Sequence, residues 1–258
     1  MLSFLVSTPS VATENVLVFL HGVGEAFIPL ERTEDLYSAN ADEAAKKAPG
    51  FDNLLNHGVP KILKKPGEVL SHDARAKVGS PPFTHPIFQS FITIAPQAFL
   101  REDLADAEKN HKMLDRVVAI AKAVTHKPKI AVMGFSRGGY AALELGARPD
   151  VEVVVTMDAV AKGPRRDLNP AFDAHRKPTW AFYAGYPKES GRKERITAAH
   201  EGLAVTPVED FSKPPKEAHC KTLVPTSGSE GDRHNQVCNV VCNSPVVYEW
   251  ILRQLRPH

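Results

Sequence analysis

Short apolar runs alternate with amphipathic stretches along most of the chain. Runs rich in β-branched and aromatic residues predict six β-strands, at 2–7, 15–21, 90–96, 129–135, 151–157 and 179–184. Between the third and the fourth run, residues 101–124 place apolar side chains at helical spacing and predict a long amphipathic helix. This alternation is typical of an α/β protein, in which helices cover both faces of a mostly parallel sheet.

Three further helices and one long insertion complete the predicted organisation. Residues 51–64, 137–146 and 245–255 are the helix candidates, and the last begins with a proline, which suits a first helical turn. Residues 25–89 are rich in Pro, Gly and charge, so we expect this segment to form a lid or wall above the strand ends. The prediction is therefore a single domain over 1–258, with 25–89 as a loop and helix insertion near the active site.

The composition is that of an ordinary globular protein. The chain has 258 residues, of which 43% are apolar and 24% charged, enough to form a sizeable core. The formal net charge of +2 is spread over interspersed acidic and basic residues, without the basic stripe that phosphate binding needs. No apolar run reaches the 18 residues of a membrane span. We therefore expect neither a nucleic-acid partner nor a membrane span.

The three cysteines, Cys220, Cys238 and Cys242, cannot all pair with one another. The three-residue gap in CNVVC differs from the C-x-x-C spacing of redox and zinc motifs, and no second Cys/His pair completes four zinc ligands. We therefore expect buried, inert thiols and no metal site. The cysteines, and a start that lacks the basic leading region of a signal peptide, favour a cytoplasmic location.

The stretch KIAVMGFSRGGYAALEL carries a serine between two glycines, at the point where a predicted strand becomes a helix. Such a turn strains the backbone of the serine, and Gly134 and Gly138 allow the strand and the helix to pass close together. The hydroxyl of Ser136 then lies at the tip of the turn, beside the positive end of the helix dipole. This pattern predicts Ser136 as a nucleophile and the amide of Arg137 as an oxyanion donor, the alternative being a plain strand-to-helix turn.

With this motif the sequence resembles the α/β-hydrolase family. VLVFLHGVGE, residues 16–25, looks like that family's strand ending in His-Gly, so the resemblance implies the amide of Val23, or that of Gly22, as the second oxyanion donor. FDNLLNHGVPKIL and FITIAPQ are similar to segments of bacterial carboxylesterases, phospholipase-carboxylesterases and related peptidase-like proteins. The resemblance implies a sheet of eight strands or slightly fewer and hydrolysis through an acyl-enzyme.

The resemblance also implies where the catalytic histidine lies. In this family the histidine follows the serine and the acid along the chain, on a loop just before the last helix. His234, in GDRHNQ, has that position and is predicted to be the general base. His219, fifteen residues upstream, is the alternative. We expect His175 and His200 to be solvated.

The third member of the triad departs from the family pattern. Lys188 stands where the resemblance would place an aspartate, in the turn after the strand 179–184. Asp158, at the end of the strand that follows the serine helix, resembles the alternative acid of pancreatic-type lipases and is the predicted acid. Glu189 is the rival, and Asp210 and Asp232 are remoter candidates. A Ser-His dyad and a plain turn role for Asp158 stay open.

These residues together predict a serine hydrolase that acts on a small-molecule ester. His234 would remove the proton of Ser136, which attacks the ester carbonyl, and water would later release the acyl group. Side chains, backbone amides and water suffice for this chemistry, so no cofactor is predicted. Thioesters and amides react by the same machinery. A hydrolase-fold protein that only binds a ligand, or a scaffold protein, is the alternative from another class.

Overall fold

The computed structural model describes most of the predicted sheet and the helices that flank it. The described residues are 3–9, 12–22, 59, 86–97, 107–160, 177–187, 190, 206–207 and 211–256. The predicted helix at 51–64, apart from Val59, lies outside this part of the chain. So does most of the predicted insertion at 25–89, of which Val59 and residues 86–89 are described.

Eight strands in the described residues form one sheet. They are β1 (Ser3–Ser7), β2 (Asn15–Leu20), β3 (Ile92–Gln97), β4 (Lys129–Phe135), β5 (Val151–Met157), β6 (Thr179–Ala184), β7 (Thr206–Pro207) and β8 (His219–Val224). Their order across the sheet is β1-β3-β2-β4-β5-β6-β8-β7. Strand β1 pairs antiparallel with β3, and every other pairing is parallel. The predicted mostly parallel sheet is confirmed, with β7 and β8 as additions to the six predicted strands.

Helices cover both faces of this sheet, as predicted. The α-helices in the described residues are α1 (Ala107–Val124), α2 (Arg137–Leu145), α3 (Glu230–Cys242) and α4 (Pro245–Gln254). Alternate residues of β2 point to opposite faces. Val16, Val18 and Leu20 pack in one apolar cluster with α1 and α2. Leu17 and Phe19 pack in the other cluster with α3 and α4. The sheet is therefore buried between two helical layers.

The helices also bear on the membrane prediction. Within the ranges that the structure describes, no helix combines the length and the apolar character that crossing a bilayer requires.

Helix α3 corrects the prediction that His234 lies on a loop. His234 belongs to the second turn of this helix, which begins at a capping box. The hydroxyl of Ser229 accepts a hydrogen bond from the amide of Asp232, and the carboxylate of Asp232 accepts one from the amide of Ser229 at 3.1 Å. This reciprocal pair satisfies two amides that a helix start leaves without helical partners. Ser-x-x-Asp is thus the local signal that starts α3.

The capping box also accounts for Asp232, one of the remoter candidates for the triad acid. The hydroxyl and amide of Ser229 donate hydrogen bonds to its carboxylate, and these bonds hold the pKa of Asp232 below its ordinary value. Asp232 therefore serves the start of the helix that carries His234.

Replacement of the cap should weaken this helix measurably. We expect Ser229→Ala to lower the melting temperature by about 2–4 °C, because the amide of Asp232 loses its acceptor and the carboxylate of Asp232 loses one of its two donors. Ser227→Ala is the matched control, since the backbone amide of Ser227 contacts the side chain of Gln236 at 3.0 Å and survives the substitution. Equal melting temperatures for the two variants, measured by circular dichroism, would contradict a stabilising role for the capping box.

Candidate active site

The turn between β4 and α2 has a backbone conformation that only a tight constraint maintains. Ser136 has φ 58° and ψ −119°, a region that residues other than glycine rarely adopt. A Cβ atom on Gly134 would lie closer than 3.0 Å to the backbone of Gly138. A Cβ atom on Gly138 would lie that close to the carbonyl oxygens of Leu20 and His21. The absence of side chains at both glycines therefore allows the end of β2 to lie directly against the turn.

The serine side chain is placed beside the start of α2 without capping it. Ser136 is the residue before the first helical position, yet its side chain makes no cap hydrogen bond to the helix. The first intrahelical bond runs from the amide of Tyr140 to the carbonyl of Ser136 at 3.2 Å. The amide of Arg137 thus lies in the first turn, where the helix dipole is positive. This arrangement favours negative charge next to the hydroxyl.

Asp158 follows β5 and is the most constrained acidic group of the site. It has φ 48°, in the left-handed region, and its side chain is 0% exposed. Its amide donates a 2.7 Å hydrogen bond to the carbonyl of Phe182 in β6, and its Oδ1 accepts one from the amide of Ala184 at 3.1 Å. The neighbouring strand therefore holds both the backbone and the carboxylate of Asp158.

His234 reaches this carboxylate from the opposite side. Its Nδ1 lies 2.5 Å from Oδ2 of Asp158, and both side chains are buried. A carboxylate oxygen can only accept, so Nδ1 carries the proton and Nε2 of the neutral ring is left as the basic nitrogen. The imidazole also packs on Phe135, with ring centroids 4.5 Å apart. The histidine is therefore held by the residue that immediately precedes Ser136.

Backbone hydrogen bonds join the serine turn to the segment that carries Asp158. The amide of Ser136 donates to the carbonyl of Met157 at 2.8 Å, and the carbonyl of Ser136 accepts from the amide of Val160 at 3.1 Å. These two bonds bracket Asp158 along the chain. Ser136, Asp158 and His234 are therefore brought to one end of the sheet, at the carboxyl ends of β4 and β5.

The other predicted site residues divide into described and undescribed ones. His219 is the first residue of β8, where it pairs in register with Thr179 at the start of β6. It therefore lies at the amino ends of the parallel strands, away from Asp158. The candidates Val23, Glu189 and Asp210 lie outside the described residues. So do Lys188, which stands where the family pattern has an aspartate, and His175 and His200, which were predicted to be solvated.

His21, in the predicted His-Gly segment, is a buried structural group. Its Nδ1 donates to the carbonyl of Gly22 at 2.5 Å, because a carbonyl oxygen can only accept. The ring is 1% exposed, and this burial lowers the pKa of His21 to about 4. The side chain is therefore neutral at pH 7. Its hydrogen bond to Gly22 lies in the segment after β2 that approaches Gly138.

The cysteines are buried, as the sequence predicts. Cys220, Cys238 and Cys242 are free thiols with 0% exposure. Burial raises the pKa of Cys220 to about 12, so this thiol is protonated at neutral pH. Among the described residues, no group of three or more His, Cys, Asp and Glu side chains is arranged to hold a metal ion.

One contact of the site was not anticipated from the sequence. The phenolic hydroxyl of Tyr186 donates a hydrogen bond to Oδ2 of Asp158. Tyr186 lies just after β6, in the GYPKE segment, whose predicted site residue was the carboxylate of Glu189. The signal that could have found it is the position itself, because β5 and β6 are neighbours whose carboxyl ends adjoin.

Solved structures with the same architecture provide the comparison with known proteins. The acylaminoacyl peptidase of Pyrococcus horikoshii aligns with a TM-score of 0.54 and 10% identity over 100% of this chain, which spans 40% of that protein. The esterase domain of a Rhodothermus marinus protein aligns with a TM-score of 0.49 and 11% identity, over 99% of this chain and 100% of the domain. MenH from S. aureus aligns with a TM-score of 0.49 and 10% identity, over 98% and 99%. No family model and no curated protein sequence matches the chain. The chain has the α/β-hydrolase fold.

The close approach at Gly138 predicts a large effect of a single methyl group. We expect Gly138→Ala to lower the free energy of unfolding by about 3 kcal/mol, because the new Cβ would overlap the carbonyl groups of Leu20 and His21 at the end of β2. Gly231→Ala in α3 is the control, since its Cβ would meet only the Ser229 hydroxyl at 3.9 Å. That variant should be neutral or gain up to about 1 kcal/mol. Urea unfolding measures the free energy of unfolding of both variants. Similar free energies for the two variants would contradict the close approach of Gly138 to Leu20 and His21.

Burial of neutral His21 predicts a specific pH dependence of stability. Since its pKa is near 4 when folded and near 6.5 when unfolded, its contribution is complete above pH 6.5 and is lost as the pH falls toward 4. Over that window we expect the wild type to lose about 3 kcal/mol more than His21→Gln, which has no titrating group there. Urea unfolding at several pH values measures the difference. Parallel pH profiles would show that folding does not lower the pKa of His21.

Proposed function

We propose that the protein is a serine hydrolase that cleaves carboxylic esters through an acyl-enzyme intermediate. The observation that carries the proposal is the hydrogen bond between His234 and the buried carboxylate of Asp158, next to the strained turn of Ser136. Nucleophile, base and orienting acid are the three groups that this chemistry requires. Strain at the serine and burial of the acid are costs that a purely structural turn has no reason to carry.

The first half of the reaction acylates Ser136. As its Oγ attacks the ester carbonyl, His234 Nε2 accepts the hydroxyl proton, and a tetrahedral oxyanion forms. His234 then returns the proton to the leaving alcohol as the C–O bond breaks. Asp158 orients the ring through Nδ1 and stabilises the imidazolium that exists between the two transfers.

The oxyanion requires donors that are in place before the reaction begins. The amide of Arg137, in the first turn of α2, supplies one donor, and the amide of Val23 is assigned the second role. A Cβ atom on Gly138 would overlap the carbonyl oxygens of Leu20 and His21, so the end of β2 lies directly against the serine turn. This close approach supports the proposal that the segment after β2 supplies the second oxyanion donor.

The second half of the reaction regenerates the enzyme. Water replaces the alcohol, His234 Nε2 removes a proton from it, and the hydroxide equivalent attacks the acyl carbon. Collapse of the second tetrahedral intermediate releases the carboxylic acid and returns the proton to Ser136. No group other than the side chains, the backbone amides and water takes part in this sequence of steps.

The proposed substrate is a small carboxylic ester with a short-chain or aryl group. The assignment extends the sequence resemblance to carboxylesterases, which rests on the segments FDNLLNHGVPKIL and FITIAPQ and on the Gly-Glu that follows His-Gly. We place the reaction in the cytoplasm, a reducing compartment that suits three free thiols.

Substitution of each proposed catalytic group tests the assignment on p-nitrophenyl esters of graded chain length. We expect Ser136→Ala and His234→Ala to lower kcat at least 10³-fold, and Asp158→Asn to lower it on the order of 10³- to 10⁴-fold. Asparagine keeps the size of the side chain but loses the charge that steadies the imidazolium. The rate of p-nitrophenol release, followed in a continuous or a stopped assay, gives kcat for each variant.

Controls separate loss of chemistry from loss of fold. Circular dichroism must show the wild-type spectrum and melting behaviour for each variant. Glu189→Gln, which changes the rival acid, should leave kcat within about threefold of wild type. Collapse of activity in Glu189→Gln but not in Asp158→Asn would transfer the acid role to Glu189. A folded wild type that hydrolyses no ester would remove the esterase assignment.

A further inference from the structure

Tyr186 makes a contact that the proposed reaction does not yet use. Its hydroxyl donates to Oδ2 of Asp158, the same carboxylate oxygen that accepts from Nδ1 of His234. We propose that Tyr186 is a positioning residue that sets the orientation of Asp158 and the basicity of His234. The inference rests on the proposed function, because it concerns the same Asp158–His234 pair.

The division of donors between the two carboxylate oxygens gives Tyr186 its effect. The amide of Ala184 occupies Oδ1 at 3.1 Å, which fixes one end of the carboxylate. The phenol of Tyr186 and the imidazole of His234 both contact Oδ2, and these contacts hold that oxygen facing the imidazole. Because the phenol draws negative charge from the oxygen that faces Nδ1, it weakens the attraction between Asp158 and a protonated His234. Tyr186 thereby opposes the rise in histidine basicity that an aspartate partner causes.

The framework around Tyr186 holds it at a defined place. Its ring packs against the apolar cluster that contains α3 and α4. The preceding residue, Gly185, accepts a 2.9 Å hydrogen bond at its carbonyl from Nη1 of Arg233, the neighbour of His234 in α3. Nε of Arg233 donates to Gly228 O at 3.0 Å, at the start of the α3 cap. One helix therefore anchors both the histidine and the turn that carries the phenol.

The charged and titratable groups around the pair are contributed by several elements. They include the carboxylate of Asp158 after β5, the phenol of Tyr186 after β6 and the guanidinium of Arg233 in α3. Arg233 directs its donors to backbone carbonyls of Gly185, Thr226 and Gly228. The phenol thus acts on the charge of Oδ2 directly, whereas Arg233 supports the turn that carries Tyr186.

Removal of the hydroxyl alone tests the inference. We expect Tyr186→Phe to keep the packed ring, to lower kcat about tenfold with little change in KM, and to move the acid limb of the kcat/KM profile to higher pH by about half to one pH unit. The direction follows because Oδ2 regains negative charge and favours the imidazolium. Tyr183→Phe, in β6 three residues upstream, is the matched control and should reproduce the wild-type profile.

A substitution that strengthens the hydrogen bond of the phenol should shift the pH profile in the opposite direction, which a general loss of structure would not do. Incorporation of 3-fluorotyrosine at position 186 gives a more acidic phenol and a stronger donor, so the acid limb should move to lower pH. A merely structural role for the ring predicts no shift in either variant. Identical pH profiles for wild type, Tyr186→Phe and the fluorinated protein would overturn the inference while leaving the triad intact.

A direct titration separates this inference from the proposed function. Proton NMR follows the ring of His234 in the wild type and in Tyr186→Phe, identified by its absence in His234→Ala, and needs no substrate. If no ester is hydrolysed but the titration of His234 still moves to higher pH in Tyr186→Phe, the coupling stands and only the reaction fails. If hydrolysis is normal and the titration is unchanged, the coupling is wrong.

Discussion

A carboxylate that is completely removed from water is the constraint on which the rest of the site depends. Asp158 is 0% exposed, and a buried charge is tolerated only with several well-placed donors. Its donors come from three parts of the chain: Ala184 in β6, Tyr186 in the following turn and His234 in α3. Because all three must be present at once, satisfying this one group ties the helix and the turn to the carboxyl end of the sheet.

Close backbone contact is the second constraint, and it acts on the serine. Ser136 keeps a positive φ because β4, α2 and the end of β2 meet with no side chain between them at Gly134 and Gly138. The hydrogen bonds from Ser136 to Met157 and from Val160 to Ser136 then align this turn with Asp158. The strained conformation is thus maintained by a rigid surrounding structure, which is the condition under which such strain persists.

The hydrophobic pattern of the sequence predicted the central strands of the sheet well, but it missed β8 and α3 in the last part of the chain. The bounds of β4, β5 and β6 agree with the sequence prediction because their apolar runs are buried on both faces. Strand β8 was missed because polarity does not follow burial in it: Thr222 is buried, whereas Leu223 is 54% exposed. Helix α3 was missed because its first turns are polar. The sequence could only shortlist carboxylates for the contact with His234, because pairing of distant residues leaves no local signal; the structure places Asp158 in that contact.

The position of Asp158, the proposed acid, follows from the geometry of neighbouring parallel strands. Strands β5 and β6 run side by side with Met157 opposite Phe182, so a residue just after β5 lies beside the end of β6. A carboxylate that follows either β5 or β6 therefore lies in the same region, at the carboxyl ends of these strands. A histidine at one position in α3 can contact a carboxylate from either strand. In this chain the carboxylate follows β5, and the turn after β6 contributes a phenol to the same oxygen that faces the histidine. The two strand ends thus meet at one carboxylate oxygen, and this shared contact is the basis of the proposal that Tyr186 sets the basicity of His234.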